Sequence, residues 1–108
     1  MSGCVELRTT LGTRAAAEEL ADAMVARRLA ACAQVTGPLA SVYRWQGAVE
    51  RAEEWACLFK TTSAARPALE AAVLARHPYE LPEIVAAPLD GSAAYLGWIE
   101  QSVSPGGG

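Results

Sequence analysis

The chain has 108 residues and a formal net charge of −3, which favours one small domain and argues against the basic surface that nucleic-acid binding needs. Hydrophobic residues make up 52% of the chain, but 23 of them are alanines, and Leu, Ile, Val and Phe together number only 22. This gives a thin core for a lone domain, although the charge is too low to indicate disorder. One resolution is that subunits share apolar surface in an oligomer.

Signals for export and membrane insertion are not found in the sequence pattern. Residues 1–10 include charged side chains and no apolar run, so no signal peptide is expected. No stretch reaches the roughly 18 apolar residues of a membrane span. The cysteines at positions 4, 32 and 57 are odd in number and far apart, which argues against a disulfide framework. We therefore expect a cytoplasmic protein that contacts neither membranes nor nucleic acid.

The first elements are predicted to be a strand and an amphipathic helix. Alternating apolar and polar residues indicate a strand over residues 5–10. Thr13 is a suitable N-cap for a helix over residues 14–29, whose apolar side chains recur every three to four residues. Arg27 and Arg28 would suit the negative pole at the end of this helix.

A long β-hairpin is predicted next. Residues 32–46 favour a strand with a kink at Gly37-Pro38, and Gln46-Gly47 has the residue types of a tight hairpin turn. The second arm, residues 48–60, contains an unbroken apolar run at positions 55–59. Because a strand with one solvent-exposed face would alternate, this run predicts burial on both faces, one of them against another subunit.

The remaining elements complete an α+β pattern. A second helix is predicted over residues 64–76, a fourth strand over residues 83–89 and a short final helix capped by Ser92. The order βαββαβ plus a C-terminal helix is that of the ferredoxin-like fold. We expect one such domain over residues 1–103, followed by a disordered glycine-rich tail at 104–108.

A stiff polar connector joins the second helix to the fourth strand. It contains the only histidine, His77, together with Pro78 and Pro82. Each proline fixes φ near about −65° and pushes the residue before it toward extended backbone, so the helix must end near Arg76. The connector either presents functional side chains or is only a helix stop and strand start.

Four motifs occur in order along the chain: Leu29-Ala30-Ala31-Cys32, Ser41-Val42-Tyr43-Arg44-Trp45-Gln46-Gly47, Lys60-Thr61 and His77-Pro78-Tyr79-Glu80-Leu81-Pro82-Glu83-Ile84. Their order and spacing resemble the CutA divalent-cation tolerance family over about residues 5–103. The resemblance implies a homotrimer related in fold to the PII signalling proteins, with long hairpins that reach onto neighbouring subunits. It also implies a link to copper and other divalent cations, copper binding in some members, and no established reaction.

The candidate metal ligands are Cys32, His77 and Glu80, with copper or another divalent cation as the only cofactor suggested. A thiolate suits Cu(I), although a buried cysteine also packs as a small apolar residue. His77 is either a ligand or a ring whose nitrogens bond to nearby backbone or to Glu80. A lone histidine cannot complete a zinc site of about four ligands unless other subunits contribute. Cys57 is expected to pack internally, and Cys4 to be reactive near the chain start.

The hairpin and connector supply the other candidates. Four residues are predicted to line a ligand cleft between the connector and the hairpin of a neighbouring subunit: Arg44, Lys60, Tyr79 and Glu83. The two cations would hold a small anion there or form salt bridges between subunits. Three aromatic residues are predicted to anchor the trimer interface: Tyr43, Trp45 and Trp55.

No catalytic motif supports an enzyme. The sequence contains no Gly-rich phosphate loop, no G-x-S-x-G, no H-E-x-x-H and no C-x-x-C, and a hydrolase would lack a nucleophile–base pair. Two functions are open. One is a trimeric protein of divalent-cation tolerance that binds or responds to metal ions. The other is a PII-like regulator that binds a small anionic ligand in clefts between subunits.

Overall fold

A four-stranded antiparallel sheet lies at the centre of the protein in a computed structural model that describes residues 3–104. The elements in chain order are β1 (Cys4–Leu11), α1 (Arg14–Ala26), β2 (Cys32–Trp45), β3 (Ala48–Thr62), α2 (Arg66–Arg76), β4 (Val85–Pro88) and α3 (Ala93–Ser102). The strands lie in the order β2-β3-β1-β4, so β2 and β4 form the two edges of the sheet. This confirms the predicted ferredoxin-like α+β fold with a C-terminal helix.

The ends of α1 agree with prediction at one terminus and differ at the other. Thr13 is the N-cap, and its hydroxyl accepts from the N–H of Ala16 at 3.1 Å. The helix ends at Ala26, three residues earlier than predicted, because Arg28 takes a φ of 60° and turns the chain away. The guanidinium of Arg28 then donates to carbonyls at the end of α3, at 3.1 Å and 3.3 Å, so it caps that helix and not its own.

The hairpin of β2 and β3 is longer than the sheet that supports it. Gln46 and Gly47 have φ values of 48° and 83°, the two positive angles of a type I′ turn. β1 pairs with β3 only as far as the Leu11–Trp55 pair, so residues 39–54 project beyond the rest of the sheet. The pairing register shifts between residues 36 and 39, at the predicted kink.

Helices α1 and α2 cover one face of the sheet and enclose the main core. Its largest fully buried side chains include Phe59, Leu7, Met24, Leu29 and Leu69. Within the predicted doubly buried run, positions 55, 57 and 59 belong to this helix-covered side. Trp55, predicted at the trimer interface, packs against this core of its own subunit.

The opposite face of the sheet is covered at one end by α3 and at the other by the segment after α2, where Thr10 and Glu54 are buried. At the α3 end, Ile99 and the C-cap residue Val103 pack against Cys4, which is 1% exposed and so is not open to reaction as expected. Beyond α3, a row of side chains crosses all four strands on the uncovered face: Gln34, Leu58, Arg8 and Val85. Leu58 is half-buried and the other three are exposed. We call these four residues the uncovered row.

The C-terminal end of the described region is tied back to the domain. The backbone N–H of Ser104 donates to the carbonyl of Arg28 at 2.8 Å. The other residues of the predicted tail, 105–108, lie outside the described residues. Over residues 3–104, none of the helices combines the length and apolar character needed to cross a membrane.

Candidate functional site

The connector of residues 77–84 begins where the prolines predicted. Helix α2 ends at Arg76, and His77 follows with extended backbone at φ −80° and ψ 131°. Strand β4 pairs with β1 only as far as Arg8, which leaves the far end of β1 without a β4 partner. His77 occupies this place, because its Nε2 lies 2.8 Å from the carbonyl oxygen of Thr10.

Both ring nitrogens of His77 have partners within the subunit. A carbonyl oxygen only accepts hydrogen bonds, so Nε2 carries the proton and donates to Thr10. Nδ1 then accepts from the backbone N–H of Tyr79 at 3.2 Å, and the two rings meet edge to face with centroids 4.7 Å apart. The lone pair that a metal ion would need is therefore engaged, and the imidazole positions Tyr79.

Tyr79 joins the connector to the hairpin of the same chain. Its hydroxyl donates to Glu54 Oε2 at 2.9 Å, and the side chain of Glu54 on β3 is buried. Burial, followed by the hydrogen bond and negative charge of Glu54, raises the pKa of Tyr79 to about 12. Glu54 has no basic partner among the ion pairs of residues 3–104.

A cavity of about 640 Å³ lies between the projecting hairpin and the connector. Its lining includes three aromatic rings and three carboxylates: Tyr43, Trp45, Tyr79, Glu54, Glu80 and Glu83. We call this space the hairpin cleft. Glu83 forms an ion pair with Arg8 at 3.2 Å, but both side chains are exposed and the pair contributes little to stability. Glu54 and Glu80 also line the hairpin cleft and take part in none of the ion pairs of residues 3–104, so the cleft is acidic.

The predicted cleft residues separate into two groups. Tyr79 and Glu83 line the hairpin cleft, whereas Arg44 and Lys60 do not. The ammonium of Lys60 lies 5.5 Å from the centroid of the Tyr95 ring, near α3. Tyr43, predicted for the trimer interface together with Trp45, lines the cleft. The hairpin wall comes from the same chain as the connector, whereas the prediction placed a neighbour's hairpin there.

The three predicted metal ligands do not meet within one subunit. Cys32 pairs in register with residue 60 of β3. His77 bonds to the carbonyl of Thr10, and Thr10 pairs with residue 56 of the same strand. Four residues of strand separate these positions by roughly 13 Å. Glu80 lines the hairpin cleft, away from Cys32. No group of three or more His, Cys, Asp or Glu residues suited to a metal ion occurs in the described part of the chain.

Sequence reasoning did not identify Glu54 or Thr10 as parts of the site. Glu54 follows another glutamate and resembles one of two solvated charges on a strand. The alternation of side chains along a strand could have indicated its direction, since Trp55 faces the helices and Glu54 must then face the other side of the sheet. Its burial depends on Tyr79, which is distant in sequence, so strand periodicity alone could not show the contact.

An acidic, aromatic-lined cleft beside a long hairpin on a βαββαβ sheet defines a ferredoxin-like α+β protein with a candidate cation site. The family model described as CutA1 divalent ion tolerance protein matches residues 5–102. The chain belongs to this family, as its motifs indicated.

Individual relatives agree with this assignment. The divalent-cation tolerance protein CutA of Thermus thermophilus is 44% identical over 94 residues, which are 86% of this chain and 91% of the relative. A solved Thermus thermophilus structure of that name superimposes with a TM-score of 0.90 at 40% identity, covering 94% of this chain and 99% of the other. Protein CutA of Mus musculus is 41% identical over 79% of this chain, which spans about half (49%) of that relative. Other relatives carry the words chloroplastic, in Arabidopsis thaliana, and periplasmic, in Archaeoglobus fulgidus.

Proposed function

We propose that this protein acts in divalent-cation tolerance as a cytoplasmic, non-enzymatic homotrimer, and that it holds copper or another divalent cation with ligands from more than one subunit. Membership of the divalent ion tolerance family supports the general role. The observation that carries the proposal is that Cys32 is partly exposed but belongs to no cluster of three or more potential metal ligands within residues 3–104. A metal site that uses Cys32 must therefore be completed by ligands from another chain.

The sheet supplies surface for such an assembly. The uncovered row crosses the whole sheet on the face that the helices leave open, and Val85 within it is 54% exposed. The edges formed by β2 and β4 are on opposite sides of the sheet. Pairing one kind of edge with the other is a head-to-tail contact, which closes into a ring when the rotation between subunits permits. The number three comes from the family resemblance.

A charge placed in the uncovered row tests the assembly. Leu58→Asp would replace an apolar side chain with a carboxylate at the interface. Arg8 lies opposite position 58 but already pairs with Glu83, so it should not fully offset the cost of burying this charge. Sedimentation should therefore show monomer while the parent sediments as a trimer. Leu74→Asp is the matched control, because Leu74 lies on α2 with 57% of its surface exposed. Circular dichroism of both variants should match that of the parent, which would show that they fold. A folded parent monomer at micromolar concentration, or a trimeric Leu58→Asp protein, would contradict the proposal.

Metal binding is tested in the same proteins. Cu(I) titration against a competing chelator should give a lower affinity for Cys32→Ser than for the parent, because a thiolate is the preferred ligand of this ion. Monomeric Leu58→Asp should lose affinity as well, although its own ligands are intact. Equal affinity in all three proteins would exclude a Cys32 site shared between subunits.

The second proposed function is PII-like binding of a small anion between subunits. Arg44 lies exposed near the hairpin tip and could contact a neighbour. The acidic lining of the hairpin cleft opposes an anion there, so the ligand would have to bind elsewhere on the assembly. Calorimetry with a nucleotide panel, on parent and Arg44→Gln, tests this function. Binding that persists unchanged in Arg44→Gln would remove this residue from the site.

A further inference from the structure

The hairpin cleft contains a buried carboxylate whose charge is not matched by a cation. The side chain of Glu54 lines the cleft and the residue is 8% exposed, and within residues 3–104 its carboxylate accepts a single hydrogen bond, from the neutral hydroxyl of Tyr79. Glutamate is almost never buried to this degree unless a cation or metal ion balances it. The ion pairs of residues 3–104 join other carboxylates to Arg8, Arg14 and Arg66. Within residues 3–104, the negative charge of Glu54 therefore lacks a cationic partner, which a bound ligand could supply.

The walls of the cleft are suited to an organic group. Tyr43, Trp45 and Tyr79 contribute aromatic surface, and the volume of about 640 Å³ is within the usual range for small-molecule sites. Aromatic faces attract cations through the ring quadrupole, with tryptophan the strongest of the three aromatic types. Glu80 adds a second carboxylate to the lining. A rigid connector, fixed by His77 and two prolines, holds one wall in place.

A bare metal ion fits this lining less well than an organic cation. Divalent ions bind where several ligands converge, and no such cluster is present among residues 3–104. We propose that the hairpin cleft binds a small organic cation, an amine or guanidinium attached to an apolar group. The positive charge contacts Glu54, and the apolar group packs against Tyr43 and Trp45. The three residues that carry this site, Glu54, Tyr43 and Trp45, are not among the candidate metal ligands, so the two proposals can fail separately.

Calorimetry on the full-length assembled protein tests the charge requirement. The probes are benzylammonium, its neutral analogue benzyl alcohol, and benzoate. Benzylammonium should bind saturably, benzyl alcohol about tenfold or more weakly, and benzoate not at all, because a charged hydrogen bond at Glu54 is lost or replaced by repulsion. Equal binding of ammonium and alcohol would overturn the proposal, and so would the lack of saturable ammonium binding.

Paired charge-neutral variants test the location. Glu54→Gln keeps the shape and an acceptor for Tyr79, and it should weaken benzylammonium about tenfold or more. Glu70→Gln removes the same charge from α2, where Glu70 pairs with Arg66 outside the cleft, and it should leave affinity unchanged. If Glu54→Gln does not fold, Trp45→Leu provides the second test through loss of the aromatic wall. Unchanged affinity in the cleft variants, or an equal loss in Glu70→Gln, would refute the site.

A neighbouring subunit is the other occupant that the cleft could accept. If a basic side chain of a second copy filled it, benzylammonium would not bind the trimer, and Glu54→Gln would dissociate at concentrations that keep the parent assembled. That result would overturn the small-ligand proposal. Cu(I) affinity, measured in Glu54→Gln, should match the parent, so failure of this inference can be distinguished from failure of the metal proposal.

Discussion

At the scale of single residues, His77 and Tyr79 position the connector by complementary hydrogen bonds. The imidazole donates to the strand carbonyl of Thr10 and accepts from the backbone of Tyr79, and the phenol then contacts Glu54. The prolines made the stiffness of this segment predictable from sequence. The partners were not predictable, because each lies on a strand at least 25 residues away in the chain.

Replacement of Tyr79 by Phe should change the alkaline behaviour of the protein. The folded-state pKa of about 12 lies above the ordinary 10, so the folded state favours the protonated phenol. The stability that this contributes is fully present below pH 10 and is lost as the pH rises through about 12. Ultraviolet titration of the parent should show one late tyrosine that is absent in Tyr79→Phe and retained in Tyr95→Phe. Retention of the late titration in Tyr79→Phe would assign it to another residue.

Two buried threonines on neighbouring strands provide opposite predictions. Thr9 Oγ1 is buried without a hydrogen-bond partner in the described region, whereas the hydroxyl of Thr61 donates to the carbonyl of Leu29 at 2.7 Å. Thr9→Val should therefore stabilise the protein by about 1 kcal/mol, and Thr61→Val should destabilise it by about 1 kcal/mol or more. Urea unfolding measures both. Equal destabilisation of the two variants would show that Thr9 has a partner in solution.

At the scale of elements, the hairpin turn and the end of α2 follow from local sequence, whereas the end of α1 depends on a tertiary contact. Gln46-Gly47 has the residue types of a type I′ turn, and the prolines after Arg76 end α2, so both were predictable. The early end of α1 was not, because Arg28 turns away to cap α3, more than 70 residues later in the chain. Helical periodicity alone contains no information about such a distant cap.

Gly37 shows how packing constrains the hairpin. A Cβ atom at this position would overlap Cδ1 of Trp55 and lie 2.7 Å from its Cγ, so the indole would have to leave its place against the core. Gly37→Ala should destabilise the protein by about 2 kcal/mol, a typical cost of overpacking. Gly91→Ala is the control, since its Cβ would meet no atom within 4 Å. Denaturant unfolding compares them, and equal stability would mean that Trp55 is not tightly held.

At the scale of the whole molecule, the sheet separates two cores of unequal size. The larger lies under α1 and α2, and the smaller lies under α3 around Cys4 and Ile99. The sequence order predicted the helix-covered face and a second apolar face. It did not predict that α3 would cover one end of that face, because the short apolar stripe of α3 could pack against several surfaces.

The cysteines report on the opening of each core. Cys32 is partly exposed, Cys4 is buried under α3, and Cys57 is buried within the larger core. Burial, aided by Glu100, raises the pKa of Cys4, and burial raises the pKa of Cys57 to about 12, so both react only after local opening. The smaller core has fewer contacts to break and should open at lower free energy.

We therefore expect iodoacetamide to modify Cys32 first, Cys4 more slowly and Cys57 last, as measured by mass spectrometry of peptides over time. Ile99→Ala should accelerate Cys4 selectively, because it leaves a cavity in the smaller core alone. Leu69→Ala in the larger core is the matched control and should accelerate Cys57. Identical rates for Cys4 and Cys57 in all three proteins would instead mean that the two cores open together as one cooperative unit.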